Sequence, residues 1–339
     1  MKISPLKWTG IGIIWILVAL GIWQSSLPYF AERNYREGYN HAAAQLFKEA
    51  IPYLEKAVEL APWETQFVSE LGKAYEDYGN LQSDLAQKQH YFKEAEKRYI
   101  QTINLDDKNP WFYSRYGALT RQMITAFPEQ AQHFKDLTDK LYFQAAELDP
   151  KNPLFQLNLA YYYHQLNMIE DAKKYYLICI SMDPRMSVAR FNLANIYYLE
   201  NQLDKSIEQY LEIHKYEPQF KNLSLAIALV YSNQNKYAEA LPYLEESKLT
   251  DPNNEEILKN LAYFYFYIQA YDKSAQTYEE LFRRFPAYQK PFKDNYLRSL
   301  LKIDEVNRAY AFLFQYTQLF PEDGSAKAQL QKMKAYQTQ

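Results

Sequence analysis

The stretch that decides the fold runs from Asn158 to Tyr198: "NLAYYYHQLNMIEDAKKYYLICISMDPRMSVARFNLANIYY". It opens on Asn-Leu-Ala and writes Asn-Leu-Ala again at Asn192, 34 residues later. A third copy, "NLAYFYF", begins at Asn260, a further 68 residues on, which is twice 34. The prolines keep the same interval at Pro150, Pro184, Pro218, Pro252 and Pro286. Self-similarity at a fixed interval of this length marks a stacked repeat, in which each unit buries its apolar face only against its neighbours.

The landmarks inside each interval have physical reasons. A large residue followed by a small one recurs at Leu71-Gly72, Tyr116-Gly117, Leu159-Ala160, Leu193-Ala194, Ile227-Ala228 and Leu261-Ala262. The small member lets a second helix come close. Four residues after the large member, on the same helix face, stand Tyr75, Tyr163, Tyr197, Tyr231 and Tyr265. The second helix opens its contact face with Ala50, Ala95, Ala172, Ser206, Ala240 or Ser274. Four residues further come Leu54, Tyr99, Tyr176, Tyr210, Leu244 and Tyr278. Proline then stops that helix and turns the chain. A 34-residue helix–turn–helix unit with these landmarks resembles the tetratricopeptide repeat. The resemblance implies an all-α fold: a right-handed α-solenoid whose first helices, one per unit, line a concave groove that takes peptides or helices.

The register extends in both directions. Gly38, Ala50, Ala57 and Pro62 fit a unit that starts near Ala31. The next two units are longer, 45 residues from Pro62 to Asp107 and 43 from Asp107 to Pro150. Their extra residues fall near 79–89 and 124–132, as lengthened helices or loops. Ala309 and Pro321 mark an eighth unit. The expected organisation is residues 1–30 for a cytoplasmic stub and a transmembrane helix, 31–323 for about eight repeats, and 324–339 for a polar capping helix.

The transmembrane expectation rests on "WTGIGIIWILVALGIWQSSLPYFA", Trp8 to Ala31, which holds no charged side chain. A helix over residues 6–27 is about 33 Å long, close to one hydrocarbon core. Pro28 ends it, and Trp8, Trp23 and Tyr29 sit near its ends, where amphipathic rings favour the interface. Lys2 and Lys7 favour a cytoplasmic N-terminus, which puts the repeats across the membrane, in the periplasm of a bacterium. A cleaved signal peptide is the other reading, with Ala19-Leu20-Gly21 as the site; against it, the apolar run continues to Trp23.

Composition narrows the function. The net charge is −3, from 38 basic and 41 acidic residues with no long run of one sign. A nucleic-acid binder needs a concentrated basic face, so nucleic acid is not the expected partner. One cysteine, Cys179, excludes an internal disulfide framework and any multi-cysteine metal site. The five histidines stand apart, no Gly-rich phosphate loop and no Gly-x-Ser-x-Gly occurs, and no metal or cofactor is expected. Pairs such as Glu245-Glu246 and Glu279-Glu280 read as solvated helix faces. The chain is not expected to be an enzyme.

The groove-facing positions of the resemblance map onto Leu157, Asn158, Tyr161, His164 and Gln165, then Phe191, Asn192, Asn195, Tyr198 and Leu199. Leu225, Leu229, Ser232 and Asn233 follow, then Lys259, Asn260, Tyr263, Phe266 and Tyr267. Asn158, Asn192 and Asn260 resemble an asparagine ladder that holds a peptide backbone, since an amide both donates and accepts. Ala226 interrupts it. The other reading is that these amides bond only their own helices or water. Lys259, Lys290 and Lys293 are candidates to meet a carboxylate.

The primary expectation is thus a membrane-anchored scaffold that binds a protein or peptide in a bacterial cell-envelope complex. A second follows from "AVELAPWETQFVSELGKAY", whose Leu60–Trp63 run resembles the repeat region of O-antigen ligase/polymerase-family proteins. It implies an accessory subunit of surface-polysaccharide assembly, with an assembly enzyme as partner. A third is a single-anchor receptor in protein translocation.

Overall fold

The computed structural model describes residues 26–337, and side chains up to Lys334. The membrane helix expected over 6–27 therefore lies, save for its last two residues, outside the described residues. All regular elements among the described residues are helical.

The chain divides between Met182 and Asp183 into two compact units. The first holds four helical hairpins: α1 (26–43) with α2 (Phe47–Leu60), α3 (Thr65–Asn80) with α4 (Leu85–Leu105), α5 (Pro110–Ala126) with α6 (Ala131–Leu148), and α7 (Pro153–Gln165) with α8 (Ile169–Met182). The second holds α9 (Ser187–Leu199) with α10 (Leu203–Tyr216), α11 (Leu223–Asn233) with α12 (Tyr237–Thr250), α13 (Glu255–Tyr267) with α14 (Tyr271–Arg284), and α15 (Gln289–Lys302) with α16 (Val306–Leu319). A last helix, α17 (Gly324–Gln337), closes it. The odd-numbered member of each hairpin is helix A and the even-numbered one is helix B.

Two kinds of turn set the period. From helix B to the next helix A, asparagine caps α5, α7 and α13: Asn109 Oδ1 accepts from Trp111 N at 3.1 Å, and Asn152 Oδ1 from Leu154 N at 3.1 Å. Asn254 Oδ1 takes both Glu256 N and Ile257 N, at 3.0 and 3.3 Å. Pro110 and Pro153 follow in the first helical turn, where a missing N–H costs nothing. From helix A to helix B the chain passes through a single left-handed residue. Asn167, Asn201, Asn235 and Gln269 have φ of 58°, 59°, 59° and 64°, each 34 residues after the last. The next N–H then reaches back five residues, as from Gln202 to Tyr197 O at 2.8 Å and from Ala270 to Tyr265 O at 2.8 Å. These bonds satisfy carbonyls that the end of helix A leaves orphaned, and asparagine is among the few non-glycine residues that take this conformation readily.

The hairpins α3/α4 and α5/α6 are the exceptions. Their helices run to 16 and 21, and 17 and 18, residues, against 13 and 14 in α7/α8. Gln89 Nε2 ties the two lengthened hairpins together by donating to Ala126 O at 2.7 Å.

Close packing within a hairpin explains the small residues. A Cβ placed on Gly117 would lie 2.6 Å from the Tyr142 ring, and one on Gly38 would lie 2.7 Å from Leu54. Leu71, Leu159, Leu193 and Leu261 are buried, as are Tyr99, Tyr176, Tyr210 and Tyr278. Each large aliphatic side chain so buried contributes about 1.5–3 kcal/mol.

A polar fastening joins successive hairpins. A helix-A tyrosine donates its hydroxyl to a carboxylate on the preceding helix B: Tyr75 to Glu55, Tyr116 to Glu96 at 2.8 Å, and Tyr163 to Asp139 at 2.6 Å. The second unit repeats it with Tyr265 to Glu245 and Tyr296 to Glu279, both at 2.6 Å. Burial pushes all five phenols above their usual range, and the carboxylate partner pushes further in the same direction. They stay protonated and remain donors.

Candidate functional site

The expected binding residues lie on helix A, and the two units present different faces. In the first unit, polar side chains bridge one helix A to the next. Gln66 Nε2 donates to Tyr35 Oη at 2.8 Å. Arg115 reaches Ser69 and Glu70, at 2.9 and 3.0 Å, and Gln122 reaches Glu76 at 2.5 Å. Asn158 Nδ2 donates to Ser114 Oγ at 2.8 Å, and Arg121 donates to Gln165 Oε1 at 2.9 Å. Burial raises the Glu76 carboxyl above its usual range, partly offset by the hydroxyl it receives from Tyr99 at 2.7 Å. Tyr161 sits edge-on to Tyr176 at 6.1 Å. His164 Nδ1 lies 3.2 Å from Tyr176 Oη, and burial pulls its pKa below the ordinary value. A pocket of about 290 Å³ lies between Tyr39, Phe47, Lys73 and Arg115. Its charges are paired, Arg115 with Glu70 and Lys73 with Asp77.

The second unit presents rings. Tyr263 and Tyr267 on α13 have centroids 4.5 Å apart, and Tyr237 from α12 lies against Tyr267 at 4.9 Å, with the rings tilted by 33°. Tyr263 also meets Phe292 of α15 at 6.4 Å, and Phe266 meets Tyr271 at 5.9 Å. Tyr267 is 47% exposed, so the cluster is open to solvent. Burial raises the Tyr263 phenol, and its neighbours Tyr267 and Tyr237 raise it further. Beside this cluster, Asn260 Nδ2 is buried with no hydrogen-bond partner. A buried donor left unpaired costs about 1–3 kcal/mol.

The three asparagines of the repeated motif thus have three environments. Asn158 bonds the preceding hairpin. Asn192 Nδ2 donates to Val188 O in its own helix at 2.8 Å. Asn260 holds its donor unpaired. Asn195 accepts the Tyr210 hydroxyl at 2.5 Å, and Asn233 donates to Tyr198 Oη at 2.8 Å. The lysines are committed within the chain. Lys293 is buried against Asp323 at 2.9 Å, Lys290 faces Glu322 at 3.6 Å, and Lys259 lies 3.9 Å from Glu256. Another pocket, of about 400 Å³, lies at the α10–α11 turn, where Ser224 and His214 both address Glu246.

Tyr237 was not among the residues singled out from the sequence. Its signal is present there: Tyr237 and Tyr271 stand 34 residues apart, each opening a helix B and each laid against rings of α13.

The helical hairpins, their interval and their turns are those of tetratricopeptide repeats. The family model described as tetratricopeptide repeat matches residues 155–186 and 223–254. A second family model, described as plant specific mitochondrial import receptor subunit TOM20, matches residues 39–121. Among solved structures, PilF of Pseudomonas aeruginosa shares the fold, with 15% identity, a TM-score of 0.51, and coverage of 69% of this chain and 97% of that one. Yeast Tom70 aligns at 18% identity and a TM-score of 0.48 over 91% of this chain and 58% of that one. A thermophilic TPR protein of Thermus thermophilus aligns at 14% identity and a TM-score of 0.44 over 59% of this chain and 98% of that one. No curated protein sequence matches the chain.

These findings correct the expected location, a single-pass membrane protein with a cytoplasmic N-terminus and periplasmic repeats. The family matched over 39–121 is a mitochondrial receptor subunit, not a bacterial periplasmic protein. No helix among the described residues is long and apolar enough to cross a membrane. The residues that prompted the expectation, 6–27, fall almost wholly outside the described ones.

Proposed function

We propose that the chain is a receptor-type adaptor that captures a segment of a protein partner on the helix-A face of its second unit, by binding and without catalysis of its own. The observation that carries this reading is the open ring cluster of Tyr237, Tyr263 and Tyr267 next to the unpaired Asn260 amide. Tyrosines give large, rigid contacts with a polar tip, which suits a protein interface.

Of the settings considered, protein translocation is favoured over surface-polysaccharide assembly. The match of residues 39–121 to an import receptor subunit supports it. The polysaccharide reading rests on Leu60–Trp63 alone, and that run is the α2–α3 turn, with Trp63 56% exposed.

The test places a photoreactive residue at Tyr263 in the full-length chain, expressed in its own cell. The expected result is a discrete adduct with a polypeptide, lost when Tyr267→Ala is added. Irradiation that yields no protein adduct, with the chain folded and abundant, overturns the reading.

A further inference from the structure

The second unit has another feature, between α15 and α17. A slot of about 350 Å³ opens there, at the small end of the range for ligand pockets, about 300–1,000 Å³. Leu297, Leu301, Leu313 and Met333 give it an apolar lining, and Leu301 is 47% exposed. Two cations, Arg298 and Lys332, line it as well, with one carboxylate, Asp294. Both cations are exposed, and neither makes an ion pair among the described residues. The nearby Lys293, by contrast, is spent on Asp323 and Asp294.

Gln329 crosses the slot's edge. Its Nε2 donates to Asp294 Oδ1 at 3.3 Å, while its Oε1 is buried with no partner. The slot thus combines an apolar lining, two cations against the one carboxylate of Asp294, and an acceptor that lacks a donor. An acyl chain with a carboxylate head would answer the first two and not the third. A polypeptide answers all three, since every main-chain N–H is a donor.

We propose that the α15–α17 slot selects the partner segment by charge, taking a stretch of polypeptide in which large aliphatic side chains are flanked by Asp or Glu. This rests on the reading that the second unit captures a protein segment. The aliphatic side chains enter between Leu297 and Met333. The carboxylates meet Arg298 and Lys332 at the rim, where opposite charges steer the encounter and set the choice of partner more than they add affinity. A small rotation of the Gln329 amide brings Oε1 to a main-chain N–H of the segment. The preference weakens as salt rises, because exposed charges are screened.

The experiment uses the full-length chain and two fluorescein-labelled amphipathic peptides, one of leucine and glutamate, the other with lysine at each glutamate. Anisotropy titrations at low salt are expected to favour the acidic peptide by about tenfold. The double variant Arg298→Glu/Lys332→Glu is expected to reverse that preference with an unchanged thermal midpoint, since both side chains are exposed. Equal binding of the two peptides, unmoved by the double variant, overturns charge selection and leaves segment capture standing. Binding to phosphatidylglycerol vesicles but to neither peptide gives the slot to lipid and overturns the proposal. No binding of any of the three overturns it also, while capture by the ring cluster is judged separately by the Tyr263 adduct.

Discussion

The two units share a scaffold and differ in what they put on it. Both fasten hairpin to hairpin with a tyrosine hydroxyl on a carboxylate, and both bury the same Leu-small pair on helix A. In the first unit the exposed side of helix A is crossed by Arg115–Glu70, Gln122–Glu76 and Asn158–Ser114, bonds that link one repeat to the next. In the second, α13 carries Tyr263, Phe266 and Tyr267 on the corresponding side, while α9 and α11 are linked by the bond from Asn233 to Tyr198. A repeat can spend its helix-A positions on its own stability or on a partner, and the proposed reading gives the partner's share to α13 in the second half.

The comparison can be tested from its strongest term downward. Leu71→Ala in the first unit and Leu193→Ala in the second should each cost about 2–5 kcal/mol in chemical denaturation, because both are fully buried. A loss confined to one of them would deny that the scaffold is shared. Tyr116→Phe and Tyr265→Phe should each cost about 0.5–1.5 kcal/mol, alike in the two units, through the lost hydroxyl bond.

Acid should separate the units. The Lys293 ammonium, with the Ala326 N–H, holds the Asp323 carboxyl down to about 2. A carboxylate depressed on folding stabilises above its unfolded pKa of about 3.9, and that contribution is lost as pH falls toward the folded value. The hold on α17 should thus weaken between about pH 4 and 2, read as faster amide hydrogen exchange in α17. Lys293→Met should move the loss to higher pH. An α17 whose exchange ignores both pH and Lys293 would contradict the assignment.

The smallest effects divide the asparagines. Asn158→Ala should lose about 1 kcal/mol with its bond to Ser114. Asn260→Ala should leave stability within about 0.5 kcal/mol of the parent or raise it, since it removes a buried unpaired donor. Equal losses at the two positions, in thermal unfolding, would return Asn260 to a structural role.

Much of the scaffold was legible in the sequence. The 34-residue interval, the Leu-small pairs and the turn prolines are set by local sterics, and local sterics repeat with the letters. The left-handed turns were legible too: Asn167, Asn201 and Asn235 keep the same interval, although proline is the louder signal. The faces were legible only in part. That Asn158, Asn192 and Asn260 occupy one register position follows from the interval. Whether each amide is satisfied depends on the residue across from it, Ser114 for the first and the helix's own Val188 carbonyl for the second. Lys293 shows the same limit, since its partner Asp323 lies 30 residues away at the mouth of α17. The α15–α17 slot follows no repeat, because α17 has no hairpin partner among the described residues, and so no interval announces it.

The most direct test of a divided chain compares two positions in one experiment. A photoreactive residue at Tyr267, on the second unit's ring cluster, should form a protein adduct in the full-length chain. The same residue at Tyr39, beside the paired charges of the first unit, should form none. Adducts from Tyr39 and none from Tyr267 would contradict the account and move the capture surface to the first unit.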